Sequence, residues 1–219
     1  MNEEQFNGPM LTNFGIDAKN VIRYKPGMGS EFGVGLLYDV SKRVSLKVGA
    51  QYNVRQYNIE AYAGAYEVSN ITLVSGASIS NIPTLAKFRS TSGAYNNEAL
   101  LLNKYHQVSF PVGVEYTVLS RNRIGVRLGG TIQPTYTFSQ SAYLLTSDYK
   151  SYADGTSMIR NWNINSSLEA MLDIKVGDFQ WKLGPQFRYQ HLSTFSNEYP
   201  IKEYLIDYGF KIGFSKTIH

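Results

Sequence analysis

The chain has no cysteine among its 219 residues, so neither disulfides nor thiolate chemistry can contribute. No stretch approaches the ~18 uninterrupted apolar residues that mark a transmembrane helix. No block of Lys or Arg stands out and the formal charge is only +4, which makes nucleic acid a poor partner. "MNEEQFNGPML" starts acidic and polar, without an apolar core, so no signal peptide is read there. An exported protein would then be a mature chain or an excised domain. HExxH, EF-hand and P-loop patterns are all missing. "GMGSEFGVG" is rich in glycine, but a strand pattern follows it and not the helix that a phosphate cradle uses. No cofactor and no metal site is expected. What the chain does have is aromatic rings, 14% of residues, with 17 Tyr against 2 Trp. Tyr suits strands and boundaries between wet and dry surroundings.

Alternation is the dominant pattern. In "RVSLKVGAQYNVRQY", Val44, Leu46, Val48, Ala50, Tyr52 and Val54 share one side. Ser45, Lys47, Gly49, Gln51, Asn53 and Arg55 share the other. A period of two means a strand with one apolar and one polar face. The same pattern recurs around Phe32 to Val40, Val108 to Val118, Ile124 to Phe138, Trp162 to Ile174, Phe179 to Tyr189 and Tyr204 to Phe214. A weaker strand over Phe14 to Tyr24 makes eight. Ser41-Lys42, Ser120 to Arg123 and Gly177-Asp178 read as tight turns. Pro26 to Gly29, Ala61 to Asn103, Ser139 to Ser157 and Ser196 to Ile201 read as links at the opposite end. This spacing predicts an all-β, eight-stranded antiparallel up-and-down barrel, one domain over 1–219. Residues 1–11 are expected as a periplasmic lead-in and 61–103 as a long extracellular loop.

A soluble barrel would turn its apolar face inward around a ligand, and an outer-membrane barrel would turn it toward lipid. Glycine separates the two. Gly33, Gly35, Gly49, Gly113, Gly125, Gly129, Gly184, Gly209 and Gly213 lie on the polar face, while the rings lie on the apolar one. An eight-stranded lumen is only wide enough to be filled by side chains. Small residues belong there, so the apolar face points into lipid and the fold is a transmembrane one. The polar face also carries charges of both signs, which can pair across the lumen: Glu31, Lys47, Arg55, Glu115, Arg127, Glu169, Asp173, Lys182, Arg188, Asp207 and Lys211. Outward rings near the strand ends form a candidate aromatic girdle. Tyr38, Tyr116, Trp181 and Phe214 sit by the tight turns, and Tyr52, Tyr136, Trp162, Tyr189 and Tyr204 sit toward the long links.

"EFGVGLLYDVSKRVSLKVGAQY" and "SFPVGVEYTVL", with its Pro111, resemble strands of the outer-membrane β-barrel proteins common in Bacteroidetes. "IQPTYTF", "RNWNINSSLEA", "WKLGPQFRYQHLST" and "YPIKEYLIDYGFKIGFSKTI" look like one branch of them. The likeness covers about residues 29 to 218. Some members of that branch are similar to the C-terminal barrels of dual membrane-spanning anti-sigma factors, in which a cytoplasmic segment and an inner-membrane helix precede the barrel. Those upstream parts are not in this chain, which would correspond to the outer-membrane end. The resemblance implies a bacterial outer-membrane location, with periplasmic termini and extracellular long loops. It also implies an anchor or surface-sensing role in an envelope protein, including anti-sigma signalling.

No catalytic residues are expected. His191 with Ser193 and Asp207 could be drawn as a triad, but neither a nucleophile elbow nor a triad order supports it. The alternatives to an anchor are a small porin, an accessory subunit of an outer-membrane complex, or a barrel enzyme. The expected contacts are outer-membrane lipid and an extracellular ligand or envelope protein at 61–103. Ile71, Leu73, Val74, Ile79, Ile82, Leu85 and Leu100 to Leu102 make that segment more apolar than a free loop, so it folds over the mouth or extends the strands.

Overall fold

The computed structural model describes residues 9–12, 22–93, 97–177 and 179–216. Its strands are β1 (Pro9–Thr12), β2 (Tyr24–Pro26), β3 (Ser30–Asp39), β4 (Val44–Ser75), β5 (Ser78–Arg89), β6 (Asn97–Ser109) and β7 (Val112–Arg121). They continue as β8 (Ile124–Ser141), β9 (Tyr143–Leu145), β10 (Ser151–Asp154), β11 (Trp162–Val176), β12 (Phe179–Gln190) and β13 (Lys202–Lys216). All thirteen join one antiparallel sheet. Eight segments run up and down its wall: β1, β2 with β3, β4, β6 with β7, β8, β11, β12 and β13. Proline splits the fourth segment, because Pro111 has no N–H to donate between Ser109 and Val112. The wall curls. Arg55 of β4 reaches Asp207 of β13, and Glu31 of β3 meets Arg188 of β12 and Lys211 of β13. Those partners are not sheet neighbours, so they meet across a lumen, and the sheet is a β-barrel.

Side-chain direction follows the alternation. Phe32, Val34, Leu36 and Tyr38 of β3 are exposed on the outside, whereas Gln51, Asn53 and Arg55 of β4 are buried within. Glycine at Gly184 is required by crowding: a Cβ there would lie 1.9 Å from the Ala170 carbonyl oxygen.

Above the upper ring of aromatics the wall inverts. Along the inward face of β4, Ser45, Gln51, Asn53 and Arg55 give way to Tyr57, Ile59 and Ala61, all buried. Outside, Gln56, Asn58 and Glu60 replace the apolar residues. A wall surrounded by lipid must keep its polar groups inside, and a wall surrounded by water can bury an apolar core. The switch between Arg55 and Tyr57 marks where the surroundings change. Beyond it, Leu101, Tyr105, Leu144, Leu145, Tyr152, Phe195, Tyr199 and Leu205 pack with Tyr57 and Ile59 into a capping core.

Two segments differ from expectation, and 61–103 takes one of its two expected forms. Pro26 to Gly29 does not reverse the chain. Pro26 pairs with Tyr57 and Ser30 with Val54, four steps against three, so the segment is a bulge in one descending strand. Gly27 permits it, since a Cβ would meet the Gln56 carbonyl at 2.2 Å. Within 61–103, β4 runs unbroken to Ser75, turns at Gly76 with φ +60° and returns as β5. Pro9–Leu11, expected in the periplasmic lead-in, pair instead with Leu205–Glu203 at the upper end of β13. That pairing satisfies backbone groups an edge strand would otherwise leave open. Residues 1–8, and the 14–21 part of the expected first strand, lie outside the described residues.

Candidate functional site

Strand pleat alone brings the lumen charges together, because each sits at an inward position of its strand. At the centre, Lys47 lies 2.7 Å from Glu169 and 3.5 Å from Glu115. Glu115 also takes Lys182 at 2.7 Å and Arg127 at 3.4 Å. Arg127 stands 2.5 Å from Asp173, toward the tight-turn end. Glu169 takes Lys211 at 3.0 Å, and Lys211 meets Glu31 at 3.2 Å. Glu31 pairs with Arg188, which approaches Asp207 at 4.0 Å. Arg55 donates from Nε to Asp207 at 2.7 Å and from Nη1 to the Gln190 amide oxygen at 3.0 Å.

All eleven charges named from the pattern thus stand in one connected chain. Six cations face five carboxylates, a net of +1, so the buried charge is nearly cancelled. Asp39 and Lys175 share the polar face but not the network: Asp39 accepts from the Ser45 hydroxyl at 2.5 Å, and Lys175 makes no ion pair among the described residues.

Sequence reasoning passed over the neutral layer beside the network. Asn53 donates to Ser109 at 2.7 Å, Ser109 bonds Thr135 at 2.8 Å, and Asn165 donates to Thr135 at 2.7 Å. Gln133 bonds Thr131 and Ser167. These short inward side chains were visible as polar alternation, but they carried no charge to single them out. Together the two layers tie many of the inward polar groups among the described residues into ion pairs and hydrogen bonds.

The girdle residues lie on the outer face. Tyr38, Trp162 and Phe214 are well exposed, as are Tyr52, Tyr116 and Trp181, while Tyr136, Tyr189 and Tyr204 are half-buried. Rings stack in pairs at both ends: Tyr136 with Trp162 at 5.1 Å and Trp181 with Phe214 at 6.2 Å. The sketched triad does not assemble. His191 bonds Ser166 at 2.9 Å on the outer wall, Ser193 is buried and accepts from backbone N–H groups, and Asp207 is held by Arg55. No group of His and carboxylates among the described residues could hold a metal.

Among the described residues, one acid is buried in the cap core. Glu203 is buried beyond the girdle ring of Tyr204 and accepts from the Tyr57 hydroxyl at 2.5 Å and the Tyr105 hydroxyl at 3.5 Å. Burial pushes its carboxyl up to about 7, against the pull of the tyrosine hydrogen bonds. Asn103 braces the pair by donating to Tyr57 at 2.6 Å. The same burial raises the Tyr57 and Tyr105 hydroxyls well above their ordinary range.

A family model described as "Outer membrane protein beta-barrel domain" matches residues 6–193. No curated protein and no solved structure matches the chain.

Proposed function

The chain belongs to the outer membrane protein beta-barrel domain family, and from that premise we propose that it is a non-enzymatic anchor, closed to ions, that displays its cap at the cell surface. One connected ion network through the lumen supports this reading most directly. Every carboxylate in it has a cation within 4.0 Å, so moving an ion through would mean breaking buried pairs. Removing one partner of such a pair costs about 3–5 kcal/mol. The strands that outrun the membrane support a surface role, since about 10 tilted residues suffice to span the bilayer and β4 has 32. In this reading the tight turns face the periplasm and the cap faces the exterior. The resemblance to the barrels of dual membrane-spanning anti-sigma factors supports a part in envelope signalling, with the cap as the sensing end.

Two measurements test it. Purified protein in planar bilayers should give no stable open steps, and reproducible single-channel currents would replace the anchor with a small porin. An epitope inserted after Gly76 should be labelled by antibody on intact cells. Labelling only after the outer membrane is broken would reverse the orientation.

A further inference from the structure

Two cations on the outer wall have no acidic partner. Arg160 donates from Nε to the Ser193 carbonyl at 3.2 Å and from Nη2 to the Asn197 side-chain oxygen at 2.5 Å. Lys202 donates to the carbonyls of Ser196 at 3.3 Å, Asn197 at 2.9 Å and Tyr199 at 2.8 Å. Every one of these acceptors is neutral, and neither cation forms an ion pair among the described residues. This contrasts with the lumen network, where every member has an oppositely charged partner within 4.0 Å.

The two groups converge on one loop, Ser193 to Tyr199, and feel one another. Burial, and then the Arg160 guanidinium, lower the pKa of the Lys202 ammonium. Strand register sets their height. Tyr189 pairs with Ile206, and above that ladder the Thr194 N–H donates to the Glu203 carbonyl at 2.8 Å, which sets the Ser193 to Tyr199 loop at the level of Lys202. Lys202 opens β13 two residues before Tyr204, and Arg160 lies two residues before Trp162, which opens β11, with its backbone N–H on the Thr194 carbonyl at 2.8 Å. They therefore stand just above the aromatic ring, at the level where lipid headgroups lie. The guanidinium keeps N–H donors that the loop does not use, in a fork suited to phosphate oxygens.

From this placement we propose that the Arg160 guanidinium, with the Lys202 charge beside it, forms a site for the phosphate of a lipid headgroup in the leaflet next to the cap. The loop carbonyls hold the two cations in place, and the phosphate supplies a countercharge that no ion pair among the described residues provides. Trp162 and Tyr204 lie beneath it, where the glycolipid or phospholipid enters its apolar region. On the orientation given above, that leaflet is the outer one, so the probe of choice is diphosphoryl lipid A.

The test is lipid retention by the full chain in detergent, read by native mass spectrometry, which does not depend on orientation in the cell. The intact protein should retain diphosphoryl lipid A and lose it at least about tenfold more readily in the Arg160→Gln/Lys202→Gln double variant, the loss of a charge-assisted contact from the guanidinium and of the neighbouring ammonium charge. The exchange Arg160→Lys/Lys202→Arg should keep most of the retention. Dephosphorylated lipid A should be retained as weakly by the intact protein as diphosphoryl lipid A is by the double variant. This arm needs no substitution and stands even if the double variant fails to assemble. Equal retention of phosphorylated and dephosphorylated lipid, or by parent and folded double variant, overturns the proposal. Inorganic phosphate that displaces the lipid at equal concentration would also overturn it, by making this a site for the free ion.

Discussion

At the scale of single residues, the acid in the cap is the most consequential group. Glu203 has its folded pKa raised from 4.5 to about 7 by burial. Between those values the folded state binds more protons than the unfolded one, so stability falls as pH rises. Its favourable contribution is complete below about pH 4.5 and gone above about pH 7. The cap is therefore expected to be firmer at pH 5 than at pH 8, by an amount on the order of 3 kcal/mol at most. Near-ultraviolet circular dichroism of the buried tyrosines, followed against urea at both pH values, reads this directly. Glu203→Gln should remove most of the pH dependence and raise the midpoint at pH 8. A variant that keeps the dependence would place the titrating group elsewhere. In the lumen the sign of a deletion is opposite. Glu169 is buried between Lys47 and Lys211, and Glu169→Ala would leave two cations short of a partner. Assembly stability should drop by about 3–5 kcal/mol, visible as an earlier unfolding transition in micelles.

At the scale of strands, the lipid-facing band can be tested at its middle. Val48 is exposed, opposite Leu36 on one side and Val112 on the other. Val48→Arg should cost about 2–4 kcal/mol at mid-bilayer and reduce the fraction that folds into vesicles, scored by heat-modifiable gel mobility. Leu100→Arg provides the contrast. It lies above the rim, opposite Glu60, and should assemble like the parent. Equal loss in both variants would mean the band is drawn at the wrong height. The faces of these strands were legible because lipid outside and polar groups inside impose a strict period of two, and glycine betrayed the crowded side. The eleven lumen charges were legible for the same reason: parity alone placed them on one face. The bulge at Pro26 to Gly29 was not, since proline and glycine together mark a reversal and a bulge equally well. Only the register of Tyr24 with Ile59 and Ser30 with Val54 separates them. The extension of β4 was obscured by its own inversion. From Tyr57 upward the inward positions turn apolar, so a search for one constant apolar face ends the strand too soon.

At the scale of the whole molecule, the barrel and its cap are two packing solutions on one continuous sheet. The lower part is held by lipid outside and ion pairs inside, and the upper part by a buried apolar core. They should therefore fail separately. The bases of the long hairpin, Ala63 and Asn97, are paired directly, and the ladder below them from Gln51–Ser109 upward does not use β5. Residues 64–96 can accordingly be replaced by a two-residue Asn-Gly turn without changing wall register. The wall should still fold into vesicles and keep its heat-modifiable mobility. The cap should not be spared. Ile71 and Leu73 belong to its core with Leu144, Leu145, Tyr152 and Tyr199, and Arg89 and Phe88 hold β10 through Ser151 and Tyr152. Excision uncovers those partners, and each apolar side chain brought back to water costs about 1.5–3 kcal/mol. Protease should therefore cut the 143–154 segment much faster in the excised protein than in the parent, while the lipid-facing strands stay resistant. If that segment remains as protected as before, the hairpin does not support the cap. If the whole wall fails to form, the two parts are one cooperative unit, and the hairpin is needed to build the barrel as well as to crown it.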